Sequence, residues 1–227
     1  PRSVTGLIDM IGLGMIMPVM PSLIGEVTGE GLSEAAAYGG WLMFTYAAMQ
    51  FLFAPVLGNL SDAYGRRPVL LLSLTALAAD YVIMGFAPDL LWLFVGRVLA
   101  GMCGANYTIA NAYIADISSP EKRAANFGLI GAAFGVGFII GPAIGGLLGE
   151  FGPRVPFFAA AGLGLLNVLY GLFVLPETLK AENRRPFVWL RANPLGALRQ
   201  MRKYPLVLGL LGASVFFQLA HDVNPST

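Results

Sequence analysis

Long apolar runs separated by short polar turns constrain this chain more than any other feature. A bilayer span needs about 20 mostly apolar residues. Runs of that kind lie near residues 3–25, 38–60, 69–87, 90–114, 125–149 and 156–175, and a seventh begins near Pro205. Hydrocarbon offers the backbone no hydrogen-bond partner, so each run is predicted to be a helix that satisfies its own N–H and C=O groups. Hydrophobic residues make up 56% of the chain and charged residues 12%. A soluble domain carries about 25% charged residues, so this chain has too little charge to cover a water-facing surface. The 29 glycines fit the same picture, because glycine lets membrane helices approach closely. The reading is an all-α membrane protein.

The charges then orient it. Lys and Arg favour the cytoplasmic side of a membrane. Arg2, Arg66, Arg67, Lys122, Arg123 and the seven basic residues from Lys180 to Lys203 fall on one side of the alternating spans. Arg154 stands alone on the other side, and Arg97 lies within a span. The start of the chain, the turn between the second and third spans and the basic segment 176–204 are therefore expected in the cytoplasm. That segment contains Pro186 and Pro194 and reads as a hinge-like linker, in which Phe187, Trp189, Leu190 and Leu195 could form a short interfacial helix. Chain ends at Pro1 and at Asn224-Pro225-Ser226-Thr227 give the expectation of a piece of a longer protein.

The turn between the second and third spans reads Gly58-Asn59-Leu60-Ser61-Asp62-Ala63-Tyr64-Gly65-Arg66-Arg67-Pro68. It resembles the signature loop of the major facilitator superfamily, with Ala63 where that family usually has a basic residue. The resemblance implies six helices forming the amino-terminal bundle of a twelve-helix transporter, built from nested three-helix repeats. It divides the chain into a bundle at 1–176, a cytoplasmic linker at 177–204 and the start of helix 7 at 205–227, with the carboxy-terminal six-helix half as a missing partner.

Several polar residues inside the spans are candidates for function. A carboxylate facing lipid costs at least about 2.5 kcal/mol, so Asp9 should face the bundle interior or reach headgroup water near the helix end. Its setting, Asp9-x-x-Gly12-x-Gly14-x-x-x-Pro18-x-x-Pro21, resembles the first helix of drug/proton antiporters. Asp80 lies more than half-way through the third span and is hard to explain as architecture alone; substrate contact and proton carriage are the functional readings. The sequence around it resembles the third helix of bacterial tetracycline/proton antiporters. Arg97 requires a carboxylate or several carbonyls unless it snorkels outward; Asp80, Asp89 and Gln50 are the candidate partners. Its Arg97-x-x-x-Gly101 spacing resembles the fourth-helix motif linked to proton transfer. Gln50, Asn106 and Asn111 are further candidates to face a cavity.

In the resembled family, an acid and an arginine of the signature loop join an acid at the end of helix 4. Asp62, Arg66 and Asp116 match those positions, with Gly58, Gly65 and Arg67 completing a cytoplasmic gate. In the fifth span, Gly137-x-x-x-Gly141-Pro142-x-x-Gly145-Gly146 resembles the antiporter motif. The glycines read physically as a groove for a neighbouring helix, and Pro142 as a bend. Gln218, His221, Asp222 and Asn224 form a polar cluster in the seventh run, where the single histidine suits a pH-responsive role.

Together these resemblances imply proton-driven drug export by alternating access, with metal-chelated tetracycline as the leading substrate. No cofactor is expected beyond the proton as coupling ion, with Mg2+ carried on the substrate. The expected surroundings are a drug, a bilayer (the bacterial inner membrane) and the second half, with no nucleic acid. The rivals are export of another hydrophobic drug, or a membrane scaffold whose buried charges serve assembly alone. An enzyme is disfavoured: there is no Ser/His pair and no His-x-x-x-His. The lone Cys103 permits neither an internal disulfide nor a cysteine metal site.

Overall fold

The computed structural model describes residues 3–104, 106–189, 192–194, 196, 209–210, 212–214 and 216. Among them the chain is helical, with no strand: α1 (Ser3–Ile16), α2 (Met20–Thr28), α3 (Leu32–Tyr64), α4 (Arg66–Phe86), α5 (Leu90–Cys103), α6 (Asn106–Ile117), α7 (Pro120–Gly149), α8 (Val155–Val174) and a 3-10 turn at Ala181–Asn183. Five stretches are long and apolar enough to cross a membrane: Ser33–Tyr64, Arg66–Phe86, Leu90–Ile117, Pro120–Gly149 and Val155–Val174. α1 and α2 meet at a 46° bend and together supply a sixth. Pro18 falls in the break, where its ring removes a helical hydrogen bond. Most of the run near Pro205, including Gln218, His221, Asp222 and Asn224, lies outside the described residues.

Local chemistry sets the helix ends. Pro21, Pro120 and Pro156 occupy first-turn positions, where no N–H is needed. The Asp89 carboxylate accepts from the Trp92 N–H and caps α5. Gly29 ends α2 in the left-handed conformation, at φ 71°.

The signature sequence is not the extended turn expected from its charges. α3 runs on to Tyr64 and α4 starts at Arg66, leaving Gly65 as the only non-helical residue between them. Its φ of 110° is strained for a residue with a side chain, so the reversal depends on glycine. In the linker, residues 184–188 are not helical, whereas Pro194 and Gly196 are; Leu190 and Leu195 of the expected interfacial helix lie outside the described residues.

α1 packs on α7 and α8, α3 on α5, and α4 on α5 and α8. If span one is matched with span four, two with five and three with six, this contact pattern maps onto itself. The α1–α7 contact becomes α5–α3, α1–α8 becomes α5–α4, and α4–α8 is unchanged. The three-helix repeat that the resemblance implied is therefore plain in the packing. Two apolar clusters fill the interior. One contains Met15, Leu23, Ile24, Leu42, Met84, Leu93 and Phe157. The other contains Leu57, Leu70, Leu74, Ile109, Tyr113 and Ile130. Arg97 lies between Leu93 and Ile109 along its span, and Asn167 between Phe157 and Leu175, so the buried polar groups mark the boundary between the clusters.

Candidate functional site

The central polar site joins α4 to α5. Arg97 Nη2 is 2.6 Å from Asp80 Oδ2, with side chains 5% and 0% exposed. Asp80 is thus the partner, rather than Asp89 or outward snorkelling. The guanidinium also donates to Met84 Sδ at 2.8 Å and lies 5.6 Å from the centre of the Tyr46 ring, within cation–π range. Gly96 makes room: a Cβ there would stand 2.5 Å from Asp80 Oδ1. Asp80 Oδ1 and Arg97 Nε have no hydrogen-bond partner among the described residues. Buried charges ordinarily have their remaining lone pairs and protons satisfied, so this pair is held closely but incompletely. A carboxylate so placed can be neutralised by the guanidinium or by a proton.

Asp9 is half-buried and is held from another span. Asn167 on α8, fully buried, donates from Nδ2 to Asp9 Oδ1 at 2.8 Å and to the Thr5 carbonyl at 2.9 Å. Gln50 Nε2 donates to the Gly104 carbonyl at 2.8 Å and faces Tyr46 Oη at 3.4 Å. Its amide therefore ties α3 to the interruption between α5 and α6. Asn111 is half-buried on α6; the side chain of Asn106 lies outside the described part of the structure.

A second site lies at the end of the bundle from which the linker leaves. Arg66 Nη1 is 2.5 Å from Asp62 Oδ1 and 2.7 Å from Ser61 Oγ, while Nε is 3.2 Å from Asp116 Oδ2. One guanidinium thereby ties the ends of α3 and α6 to the start of α4. Arg67 points elsewhere, donating to the Leu172 carbonyl at the end of α8. The linker covers this end. Glu177 accepts from the Arg66 N–H at 2.9 Å and the Arg67 N–H at 3.3 Å, filling the N-terminus of α4, where helix dipoles favour an anion. A Cβ on Gly65 would strike that carboxylate, a second reason for glycine there. Arg185 N–H donates to the Asp62 carbonyl, and Asn59 Nδ2 to the Val188 carbonyl. A cavity of about 410 Å³ remains between Asp62, Arg66, Asp116, Leu179, Asn183 and Arg185. At Gly58, by contrast, an added Cβ would meet nothing within 4 Å.

The fifth-span motif is a seam on α1. A Cβ on Gly137 would stand 2.5 Å from Met10 Cβ, one on Gly141 2.7 Å from Gly14 Cα, and one on Gly145 would strike the Met15 backbone. Pro142 Cδ would meet a Cβ on Gly14 at 3.0 Å. Gly146, Gly131 and Gly135 have open space instead, so the groove is narrower than the run of glycines implied. The equivalent α5–α3 contact is built the same way, with Gly101 against the Tyr46 backbone.

A family model for the Major Facilitator Superfamily matches residues 3–223. The chain belongs to the major facilitator superfamily. It is 45% identical over 219 residues to the tetracycline resistance protein, class C, of Escherichia coli, covering 96% of this chain and 54% of that protein. It is 33% identical over 178 residues to multidrug resistance protein 2 of Bacillus subtilis (strain 168), covering 78% of this chain and 43% of that protein. A crystal structure of the human organic anion transporter MFSD10 (TETRAN) superposes with a TM-score of 0.70 at 26% identity, covering 82% of this chain and 48% of that one. The chain spans about half the length of the curated relatives it matches. Its six spans are the amino-terminal half of a facilitator fold, and it is an integral membrane protein of a transporter family.

Sequence reasoning missed Asn167 and Glu177. Asn167 was detectable as the only amide in an otherwise apolar or aromatic sixth span, where any strongly polar side chain needs a partner. Glu177 is the first acid after that span, and its position was masked by the basic balance of the linker.

Proposed function

We propose that these six spans are one half of an exporter that moves tetracycline, as its divalent-metal chelate, outward in exchange for protons. The observation that carries the reading is a fully buried carboxylate, Asp80, inside a bundle 45% identical to a tetracycline resistance protein. A carboxylate alternating between a guanidinium and a proton supplies the coupling: protonation frees Arg97, and deprotonation recaptures it. Binding of substrate and of protons then compete for one equilibrium between inward-open and outward-open states. The Asp62–Arg66–Asp116 cluster with the Glu177 strap is the cytoplasmic latch that favours the outward-open state. The bundle sits in the inner membrane with its start and its linker in the cytoplasm, residues 1–176 forming the bundle and 177–204 the linker.

The test is uptake of magnesium–tetracycline into everted vesicles carrying the complete protein, with and without an imposed proton gradient. Gradient-dependent uptake that disappears in a well-folded Asp80→Asn variant supports the reading. Absence of uptake by folded wild-type protein overturns the substrate assignment. Uptake of unrelated hydrophobic cations instead would favour a broader drug range, as the similarity to a multidrug resistance protein allows.

A further inference from the structure

The Asp80–Arg97 pair has a counterpart that the function above does not use. Matching span four with span one and span three with span six carries Arg97 to span one and Asp80 to span six. Asp9 stands in the first and Asn167 in the second. Asn167 has no exposed surface, and its Nδ2 serves α1 alone, bonding the Thr5 carbonyl at 2.9 Å and Asp9 Oδ1 at 2.8 Å. The amide orientation follows from chemistry: both partners are acceptors, so a flipped amide would press oxygen against two oxygens. The opposite atom, Asn167 Oδ1, has no hydrogen-bond partner among the described residues. α8 carries no Asp, Glu, Lys or Arg, and α7 presents Gly137 and Gly141 to α1. From α4 comes the neutral Tyr81, whose Oη would stand 3.7 Å from a Cβ on Gly12 and is itself without a partner among the described residues. Tyr170, one turn beyond Asn167, is the titratable group of α8 on the same face. The buried charged side chains among the described residues are Asp80 and Arg97.

We propose that Asn167 is the positioning residue for Asp9, holding its carboxyl through both proton uptake and proton release. The ionised carboxylate takes an N–H from Nδ2. Once a proton from water is bound, the carboxyl O–H becomes a donor, and the idle Oδ1 is the acceptor it requires. The amide thus serves both protonation states without α1 parting from α8. This inference rests on the proton-exchange reading above.

The experiment uses the full-length protein and two independent readouts. Dicyclohexylcarbodiimide modifies protonated carboxyls in apolar surroundings, so labelling of Asp9, read by peptide mass spectrometry, does not require transport. The second readout is the Vmax and KM of gradient-driven magnesium–tetracycline uptake beside gradient-free counterflow. Asn167→Leu keeps the volume and removes donor and acceptor. Removing one hydrogen bond to a charged group corresponds to roughly a tenfold change. Asp9 labelling should therefore change by about that factor, and Vmax should fall comparably while KM and counterflow stay near wild type. Asn167→Gln should restore much of both. In an Asp9→Asn background, Asn167→Leu should lower driven uptake no further, as coupled positions require. Unchanged Asp9 labelling in a monodisperse Asn167→Leu protein overturns the proposal and leaves Asn167 a packing residue. If Asn167→Leu does not fold, Asn167→Ser is judged by the same readouts. If folded wild-type protein shows no gradient-driven uptake, the exchange reading fails, and the labelling arm alone decides the role of Asn167.

Discussion

The two three-span repeats solve one structural problem with different chemistry. In each, a polar side chain on the leading span is held by a side chain on the last span of the other repeat. Span four offers Arg97 to Asp80 of span three, a guanidinium to a carboxylate at 2.6 Å. Span one offers Asp9 to Asn167 of span six, a carboxylate to an amide at 2.8 Å. The first pair has no net charge and is almost completely buried; the second joins a half-buried carboxylate to a fully buried neutral amide. Equivalent places in the packing thus differ in what a proton does. At Asp80 protonation breaks an ion pair. At Asp9 it adds a neutral hydrogen bond to an existing one. Symmetry fixes where the buried polar groups lie, and residue identity decides which of them is mechanically sensitive to a proton.

The largest expected effect comes from breaking the charged pair on one side. Arg97→Met leaves Asp80 buried beside apolar groups, and loss of one partner of a buried pair costs about 3–5 kcal/mol. Full-length protein carrying that change should lose most of its folded yield in mild detergent, followed by fluorescence-detected size exclusion. Replacing both partners, Asp80→Asn with Arg97→Gln, should recover most of the yield while leaving no gradient-driven uptake. Recovery of uptake along with folding would make the pair architectural, as in a scaffold, and would remove Asp80 from the proton path.

The seams between the repeats sharpen the comparison at a smaller scale. Gly141 and Gly101 occupy equivalent contacts, each where a Cβ would lie within 2.7 Å of the facing helix. Overpacking of this kind costs about 1–3 kcal/mol. Gly141→Val and Gly101→Val should therefore lower the midpoint of thermal unfolding by similar amounts, whereas Gly146→Val, which meets open space, should be nearly neutral in stability. A large loss at Gly146 in the isolated bundle would mean that the seam is drawn too narrowly. A loss of transport at Gly146 without loss of stability would place it against the other half.

Much of this was legible because membrane helices advertise themselves. Six spans, their order and the need of Arg97 for a polar partner, with Asp80 one of three candidates, follow from apolar length and from the energetic isolation of charge in hydrocarbon. What the sequence concealed was the partner. Nothing local to Asp9 marks Asn167, which is 158 positions away. The signature turn was read as a loop because its charges suggest solvent. Arg66 and Asp62 are instead on helix ends, satisfied by each other and by Asp116, and Gly65 alone reverses the chain. The glycines of α7 could not be sorted into contacting and open faces without knowing where α1 lies. Local pattern specifies elements, while the choice of partner is set by packing over long sequence distances.

The smallest effect separates the two ends of the bundle. At the linker end Glu177 accepts the first N–H groups of α4, and at the opposite end Arg154 donates to the Gly85 and Ala87 carbonyls that finish the same helix, with Glu26 2.8 Å from its Nε. One helix is thus capped by an anion at its start and a cation at its finish, the arrangement its dipole favours. Such charge placements contribute roughly 0.3–1 kcal/mol each, and the exposed Glu26 contact adds little more. Glu177→Gln and Arg154→Gln should each lower thermal stability only slightly and to a similar degree. Their functional effects should diverge. Glu177 belongs to the linker strap that covers Gly65 and Arg66, so its loss should speed opening at the cytoplasmic end, read as faster modification of a cysteine placed at Asn183. Arg154→Gln should leave that rate unchanged. Equal rates in the two variants would reduce the strap to a helix cap and detach it from the latch.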